Sequence, residues 1–404
     1  MANVRREESV SNVHHAKDYN YTVEVNRWFL KPIGVWPNGD EATRIERSFS
    51  KLLNVTCHLL ITFTFGPCLL YIMFEDVSLY AKMQAIGPMS HWLMGELNYC
   101  SLSMKTTEIL QCMSYVKMDW KTVTRSKDRQ LMLKNARVGR MIALVAALCM
   151  NVGIVSYNLV TGFQKTVFIE GNQTYQMLRL PCPFYTKLID VRHSPMNEIV
   201  YTIQILSSFM VNFVTVGACG LAAVLATHAC GQLSVVRSQL ESLVEQDHGT
   251  TAHKKLAAIV ERHSRALNFV SYIENIMHLI CLVELTGCTL NMCMLEYYML
   301  TENSKQTLAT YTIVYASMVC NIFIFCYIGE KLTEQCRQVG EKAYMTDWYR
   351  LPYKTANGLV LVILRSGLVT RLTAGKLLPM TITTFGDVYK TSFVYFNMLR
   401  TVAI

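Results

Sequence analysis

The chain carries more uninterrupted apolar length than a water-soluble core can absorb. Stretches at about 52–74, 141–163, 196–227, 268–298 and 308–329 each run for twenty residues or more with few charges. At about 1.5 Å per residue, each is long enough to cross a hydrocarbon layer of about 30 Å. Two weaker stretches complete the pattern. Residues 84–113 contain His91, Glu96, Asn98 and Lys105, and 382–402 contain Asp387 and Lys390, so both must turn toward protein or water rather than lipid. Only 17% of the 404 residues are charged, against roughly 25% in soluble domains, and no Gly/Pro-rich linker divides them. The expected architecture is one all-α bundle of seven transmembrane helices. Residues 358–369 are also apolar, but they run into Arg371 and Lys376 too soon to span a bilayer and are expected to form a buried cytosolic helix.

Charge orients the bundle, because cytosolic loops are enriched in Lys and Arg. Segments 1–49, 114–140, 229–267 and 330–376 together hold 28 Lys and Arg, whereas the alternating segments on the other side hold 7. The amino terminus is therefore expected inside and, after seven spans, the carboxyl terminus outside. Residues 1–50 are polar with both signs of charge, so no cleaved signal peptide is expected, and the first span acts as its own insertion signal. Of three Asn-X-Ser/Thr sequons, Asn172 falls in the longest outer loop and is the glycosylation candidate; Asn20 and Asn54 fall inside or within a span.

The chemistry of enzymes is missing. There is no HExxH, GxSxG, GxxxxGK[ST] or GxGxxG, so nothing supports hydrolysis or nucleotide binding. Neither a cofactor nor a nucleic-acid partner is expected. His228 and Cys230 are two candidate metal ligands without companions, and a satisfied histidine at a helix end explains them better. Most of the 14 cysteines lie in apolar runs as small packing groups; Cys182, in a polar loop, is the one expected to be open to oxidation. Asp128-Arg129-Gln130 reads as a solvated charge cluster.

From about Tyr344 onward the residues become more specific: Asp347-Trp348-Tyr349, Leu351-Pro352, Arg365-Ser366, Leu372-Thr373-Ala374-Gly375-Lys376, Phe385 and Tyr395-Phe396. Upstream stand Asp119-Trp120, His228-Ala229-Cys230-Gly231-Gln232-Leu233 and Phe325-Cys326-Tyr327-Ile328-Gly329-Glu330. With the topology, these resemble the insect odorant-receptor family over nearly the whole chain. One departure is Gly367-Leu368-Val369-Thr370-Arg371, where family members usually carry a proline. The loop between spans four and five is much shorter than the co-receptor's, so the chain resembles a ligand-tuning subunit.

The resemblance implies an odorant-gated, weakly selective cation channel in the plasma membrane of olfactory sensory neurons. It further implies a heterotetramer with a co-receptor, surrounded by membrane lipid. Four regions follow: a cytosolic segment at 1–50, six spans with the pocket in their outer half at 51–329, a cytosolic helical anchor at 330–376, and a pore-lining last span at 377–404. Tyr344, Trp348, Tyr349 and Arg365 are the expected subunit anchors. On the last span, Thr391, Tyr395, Met398 and Val402 recur at helical spacing on one face. Aligned on the family, Met398 and Val402 match its hydrophobic gate and Thr401 a polar position beside it. The family's pocket lies between spans two, three, four and six. Its candidates here are Trp92, Tyr99, Gly153, Ser156, Tyr157, Tyr201, Ile205, Phe209, Tyr311 and Tyr315, an aromatic and nearly uncharged set suited to a small volatile or semi-volatile odorant.

The alternatives are a seven-helix receptor that signals through a G protein, which requires an external amino terminus, and a transporter, which calls for internal repeats and broken helices. A gustatory receptor is disfavoured because Thr310-Tyr311 is not followed by that family's Gln-Phe ending.

Overall fold

The computed structural model describes residues 12–37, 39, 43–170, 173–245, 250–368 and 371–403; for 168–170, 173–175, 245, 250–251 and 402–403 it describes the backbone alone. Asn172 lies outside the described residues. Ten α-helices carry almost all of the described chain. Five of them are long and apolar enough to cross a membrane: α2 (Arg44–Phe74), α5 (Ser126–Phe163), α6 (Met196–Glu245), α7 (Thr250–Thr301) and α8 (Lys305–Tyr344). The two polar-punctuated spans are helices as well, α3 (Leu79–Met104) and α10 (Ile382–Ala403), which completes a bundle of seven.

Several helices run well past the hydrocarbon. The 50 residues of α6 would measure about 75 Å at about 1.5 Å per residue, more than twice the membrane core. Hydropathy marks only the part in lipid, so the polar continuations were invisible to it. They make the Lys/Arg-rich cytosolic end a helical layer joined by α1 (His15–Leu30), α4 (Thr106–Thr122) and α9 (Tyr353–Gly367). The outer end carries a hairpin of β1 (Lys165–Glu170) and β2 (Gln173–Leu178), paired antiparallel with Lys165 opposite Leu178.

α6 is the axis of the bundle. Its most apolar 18-residue window is 83% buried, against 28% for the equivalent window of α2. Its middle is rich in small side chains: Ala218, Cys219, Ala222, Ala223 and Ala226 have almost no exposed surface. Small residues allow close backbone approach where lipid supplies no hydrophobic drive between helices.

Ion pairs fasten the cytosolic layer. Asp18 of α1 is buried and accepts two hydrogen bonds from Arg129 of α5, at 2.6 and 2.8 Å. Asp128, one residue earlier, is also buried and accepts from Gln239 (3.1 Å) and Arg262 (3.4 Å). The Asp128-Arg129 pair is thus an interhelical lock and not a solvated cluster, because long helices bring partners from α1, α6 and α7 to it. His228 similarly sits 3.0 Å from Asp119, whose other oxygen takes Arg265. Residues 358–367 of the apolar stretch form most of α9, with Leu359 and Val362 packed inward and Leu361 and Leu364 exposed, so it is amphipathic where a buried helix was expected.

The Leu372–Lys376 run clasps α7. The Thr373 backbone N–H donates to Glu274 at 2.9 Å, its hydroxyl donates to the same carboxylate, and the Gly375 N–H donates to the His278 carbonyl at 2.8 Å. Gly375 has φ +60°, and a Cβ there would stand 2.9 Å from a Leu282 methyl, so the turn requires glycine.

Burial alone would raise the Asp18 carboxyl, but the Arg129 and Asn12 hydrogen bonds outweigh it and hold the group below its ordinary value. A depressed carboxylate contributes stability that is present at neutral pH and is lost as pH falls through its folded pKa. Arg129→Met should therefore lower the thermal midpoint of the detergent-solubilised protein at pH 7 by an amount equivalent to about 3 kcal/mol. The difference from wild type should shrink toward pH 3, and equal midpoints at pH 7 would remove Asp18–Arg129 as a lock.

Candidate ligand pocket

A cavity of about 420 Å³ opens in the outer half of the bundle. Its walls come from α3 (Gly87, His91, Trp92), α5 (Met150, Gly153, Tyr157), α7 (Asn291, Leu295, Tyr298) and α8 (Tyr311, Val314, Met318). α6 contributes Asn212 and Thr215 at the floor, and the segment after β2 lays Leu180, Pro181, Pro183 and Phe184 over the top.

Four of the expected pocket residues line this cavity: Trp92, Gly153, Tyr157 and Tyr311. Trp92 is pinned by its indole N–H, which donates to Ser207 at 2.9 Å, and Tyr311 leans on Tyr298 with ring centroids 5.7 Å apart. Gly153 sits where α5 and α8 nearly touch, since a Cβ would meet the Ser317 hydroxyl at 2.8 Å. Tyr157 donates to the Pro181 carbonyl at 2.8 Å, so its phenol already holds the roof.

The other six lie elsewhere. Tyr99 is fully buried toward the cytosolic side and donates to the Ile33 carbonyl at 2.6 Å, tying α3 to the segment after α1. Ser156 donates to the Gly153 carbonyl of its own helix. Tyr201, Ile205 and Phe209 are absent from the lining because α6 turns its polar side inward, burying Gln204, Ser207, Ser208 and Asn212 instead. In lipid the polar side of a helix belongs inside, and choosing the aromatic side reversed that rule. Tyr315 points away from the cavity, its hydroxyl donating to Glu296 at 2.9 Å.

Sequence reasoning missed the roof and α7. Gln204 grips the roof by both backbone groups of Cys182, at 3.1 and 3.0 Å, which makes an irregular loop a fixed wall. Cys182 is consequently fully buried rather than open to solvent. Tyr298 anchors α7 to α3 by accepting the Gly87 N–H at 2.9 Å and donating to the Met83 carbonyl at 2.8 Å. Pro88, visible in the sequence as a proline inside a span, has no N–H for the Gln84 carbonyl, which lies 3.3 Å from the same Tyr298 hydroxyl.

Most polar groups on the wall are satisfied by protein. Asn291 donates to the Gly287 carbonyl (2.8 Å) and accepts from Ser90 (3.1 Å), and Asn212 donates to Asn151 (3.1 Å). His91 differs: its Nδ1 is buried without a hydrogen-bond partner. Away from the cavity, His58, Glu96 and Cys100 bring ligand-type atoms within 4.8 Å of one another. His58 lies 2.7 Å from Glu96, to which Cys100 donates at 3.7 Å, a polar clasp between α2 and α3.

If Tyr157 holds the roof, Tyr157→Phe should leave folding and surface expression unchanged. It should raise the ligand concentration for half-maximal response about 3- to 10-fold, the equivalent of one lost hydrogen bond of about 0.5–1.5 kcal/mol. An unaltered concentration–response curve would show that the roof does not depend on that bond.

Comparison with known proteins agrees with this geometry. The family model for the 7tm odorant receptor matches residues 79–393. Odorant receptor 10 of Aedes albopictus is 23% identical over 227 residues, covering 55% of this chain and 60% of that protein. Odorant receptor 67c of Drosophila melanogaster is 22% identical over 187 residues, covering 45% of each. The chain thus spans about half the length of the curated relatives it matches. In fold, it is similar to the olfactory receptor OR5 of Machilis hrabei, solved in complex with eugenol, with a TM-score of 0.80 at 12% identity over 96% of this chain and 100% of that one. That likeness shows the seven-helix fold, and the family model spans most of the sequence: the chain belongs to the 7tm odorant receptor family, membrane receptors and not enzymes.

Proposed function

We propose that this chain is the odorant-binding subunit of a ligand-gated, non-selective cation channel, assembled with a co-receptor subunit in the plasma membrane of olfactory sensory neurons. The observation that carries the reading is a polar link from pocket wall to last helix. Val314 and Met318 of α8 face the cavity; Tyr315, between them, donates to Glu296 of α7. The same Glu296 oxygen accepts the Ser392 hydroxyl of α10 at 3.1 Å. A ligand that moves α8 therefore pulls on α10 through one carboxylate.

α10 is packed along one side only, through Val388, Ser392, Phe396 and Leu399. Tyr395, Met398 and Thr401 face away from the chain, with Met398 66% exposed; Val402 continues the helix by its backbone. An outward apolar stripe is what a pore closed by dewetting needs when subunits meet around an axis. At the cytosolic end, Tyr344, Trp348, Tyr349 and Arg365 are exposed beside Tyr353 and Leu364. An apolar aromatic surface outside the membrane calls for a protein partner, which supports the anchor role for 330–376.

The ligand is a small, mostly apolar molecule with one hydrogen-bonding group. Burying about 250 Å² of apolar ligand surface at about 25 cal/mol/Å² supplies about 6 kcal/mol before association costs, so affinity in the micromolar range is expected. His91 is the polar handle, since its Nδ1 awaits a partner. Moving a gate from about 1% to 99% open requires about 5.5 kcal/mol of differential binding, so one pocket gives partial opening.

Two experiments test the reading in cells expressing the chain with co-receptor. His91→Phe should weaken responses to oxygenated odorants about 3- to 10-fold and spare hydrocarbons of the same shape; equal losses for both would refute the handle. Met398→Ser should raise resting conductance, whereas unchanged leak and unchanged ion permeability would remove α10 from the pore.

A further inference from the structure

We propose that His58, Glu96 and Cys100 form a binding site for a divalent transition-metal ion, of which zinc is the best match, that clasps the first membrane helix to the second near their cytosolic ends. Among the described residues they are the one group in which three metal-ligand side chains converge, with a ligand atom of each within 4.8 Å of the others. His58 comes from α2, and the other two come from successive turns on one face of α3, since positions four apart stack along a helix. Nδ1 of His58 lies 2.7 Å from Oε1 of Glu96, and the Cys100 sulfur lies 3.7 Å from the same oxygen.

An ion held by bonds of about 2.0–2.3 Å sets its ligand atoms about 3.3–3.8 Å apart, so side-chain shifts of about an ångström bring these three onto it. The second carboxylate oxygen is an independent sign of a ligand. Oε2 of Glu96 is buried and has no hydrogen-bond partner, although a carboxylate within a membrane span needs its acceptors engaged. The histidine is already oriented. Its ring packs on Tyr99 with centroids 4.4 Å apart, and Tyr99 is anchored in turn to the Ile33 carbonyl.

Charge and access both favour the ion. On binding, the Cys100 thiol gives its proton to water, and the proton between His58 and Glu96 moves to Nε2 of the imidazole. Two anionic ligands then cancel the double positive charge of the ion, so the cluster becomes neutral in a medium where a lone carboxylate is costly. A thiolate, an imidazole and a carboxylate suit zinc, whereas magnesium and calcium take oxygen ligands, and the fourth position is left to water. One turn nearer the cytosolic end of both helices, Asn54 donates to Ser103 at 2.9 Å, and Lys105 follows about 7 Å beyond Cys100, so a polar seam leads inward from the cytosol. The His58 and Glu96 side chains keep 31% and 18% of their surface exposed, which leaves an ion room to reach them.

The consequence is a fixed joint for α2, the least buried of the five strong spans, on α3 one turn below Trp92 of the cavity wall. The site does not rest on the channel reading, and its test reads metal rather than current.

Full-length chain is purified in detergent, stripped with a chelator that is then removed, and titrated with Co2+, whose spectrum reports its ligands. The expected result is a thiolate-to-cobalt charge-transfer band in the near ultraviolet with the visible bands of a tetrahedral ion, both abolished by Zn2+. Cys100→Ser should lose the charge-transfer band. His58→Gln, a second variant that serves should the first fail to fold, should weaken zinc binding by more than the about 10- to 100-fold that loss of an outer partner costs. Zinc should raise the thermal midpoint of the wild-type chain and of neither variant. A wild-type chain without the thiolate band would overturn the proposal, as would a band that survives in Cys100→Ser or zinc affinity unchanged in His58→Gln, either of which would put the metal on other residues.

Discussion

A polar side chain in hydrocarbon has no water to fall back on, so wherever this bundle carries one it must meet another. That constraint organises the membrane part of the structure. Glu284 of α7 is fully buried with no cation beside it among the described residues; it accepts from Asn98 of α3 at 2.6 Å, from Asn321 of α8, and from Cys288 of its own helix at 3.7 Å. Separating these three helices would leave buried polar groups unpaired, at about 1–3 kcal/mol each and more for a charge. The same logic places Trp92 on Ser207, Asn158 on Ser208 and Gln204 on the roof. Apolar packing supplies the contact area, and these bonds select which faces meet.

The pocket and its connection to α10 follow from that selection. Because α6 spends its polar side on α3, α5 and the outer segment, the cavity is left between α3, α5, α7 and α8, and it takes its shape from Gly87, Gly153 and the Pro88 break. Because Glu296 must be satisfied, Tyr315 and Ser392 converge on one of its oxygens, and α8 and α10, which also meet through the Phe323 and Phe385 rings, share a polar point. Its second oxygen is buried and unpaired, so the carboxylate has acceptor capacity to spare as α8 moves.

Much of the architecture was legible in the sequence. Run length gave the five strong spans, intramembrane charges marked 84–113 and 382–402 as turned toward protein or water, with Asp387 and Lys390 exposed on this chain, and the lysine and arginine counts oriented the whole. Motif residues such as Leu372–Lys376 were visible as words before their physical role was, because a clasp on Glu274 and His278 needs the partner helix in view. Hydropathy could not follow α6 or α7 into the cytosol, since polar continuations look like loops. Within the site, of the residues chosen for aromatic character on spans two, three and six, Trp92, Tyr157 and Tyr311 line the cavity, while Tyr99 and Tyr315 serve as interhelical bolts. The α6 set of Tyr201, Ile205 and Phe209 lies off the cavity lining, because one sequence does not say which face of a central helix turns inward. The roof failed because an irregular segment has no period to read.

The claim on which the account turns is that pocket and last helix meet at Glu296. The direct measurement is a double-mutant cycle on odorant-evoked current with Tyr315→Phe, Ser392→Ala and the pair, in chains of equal surface abundance. If one carboxylate carries the signal, each single change reduces the maximal response or raises the half-maximal concentration several-fold, and the pair does no worse than the more damaging single. Strictly additive effects, or singles indistinguishable from wild type, would mean that α8 and α10 are coupled by another route or not at all.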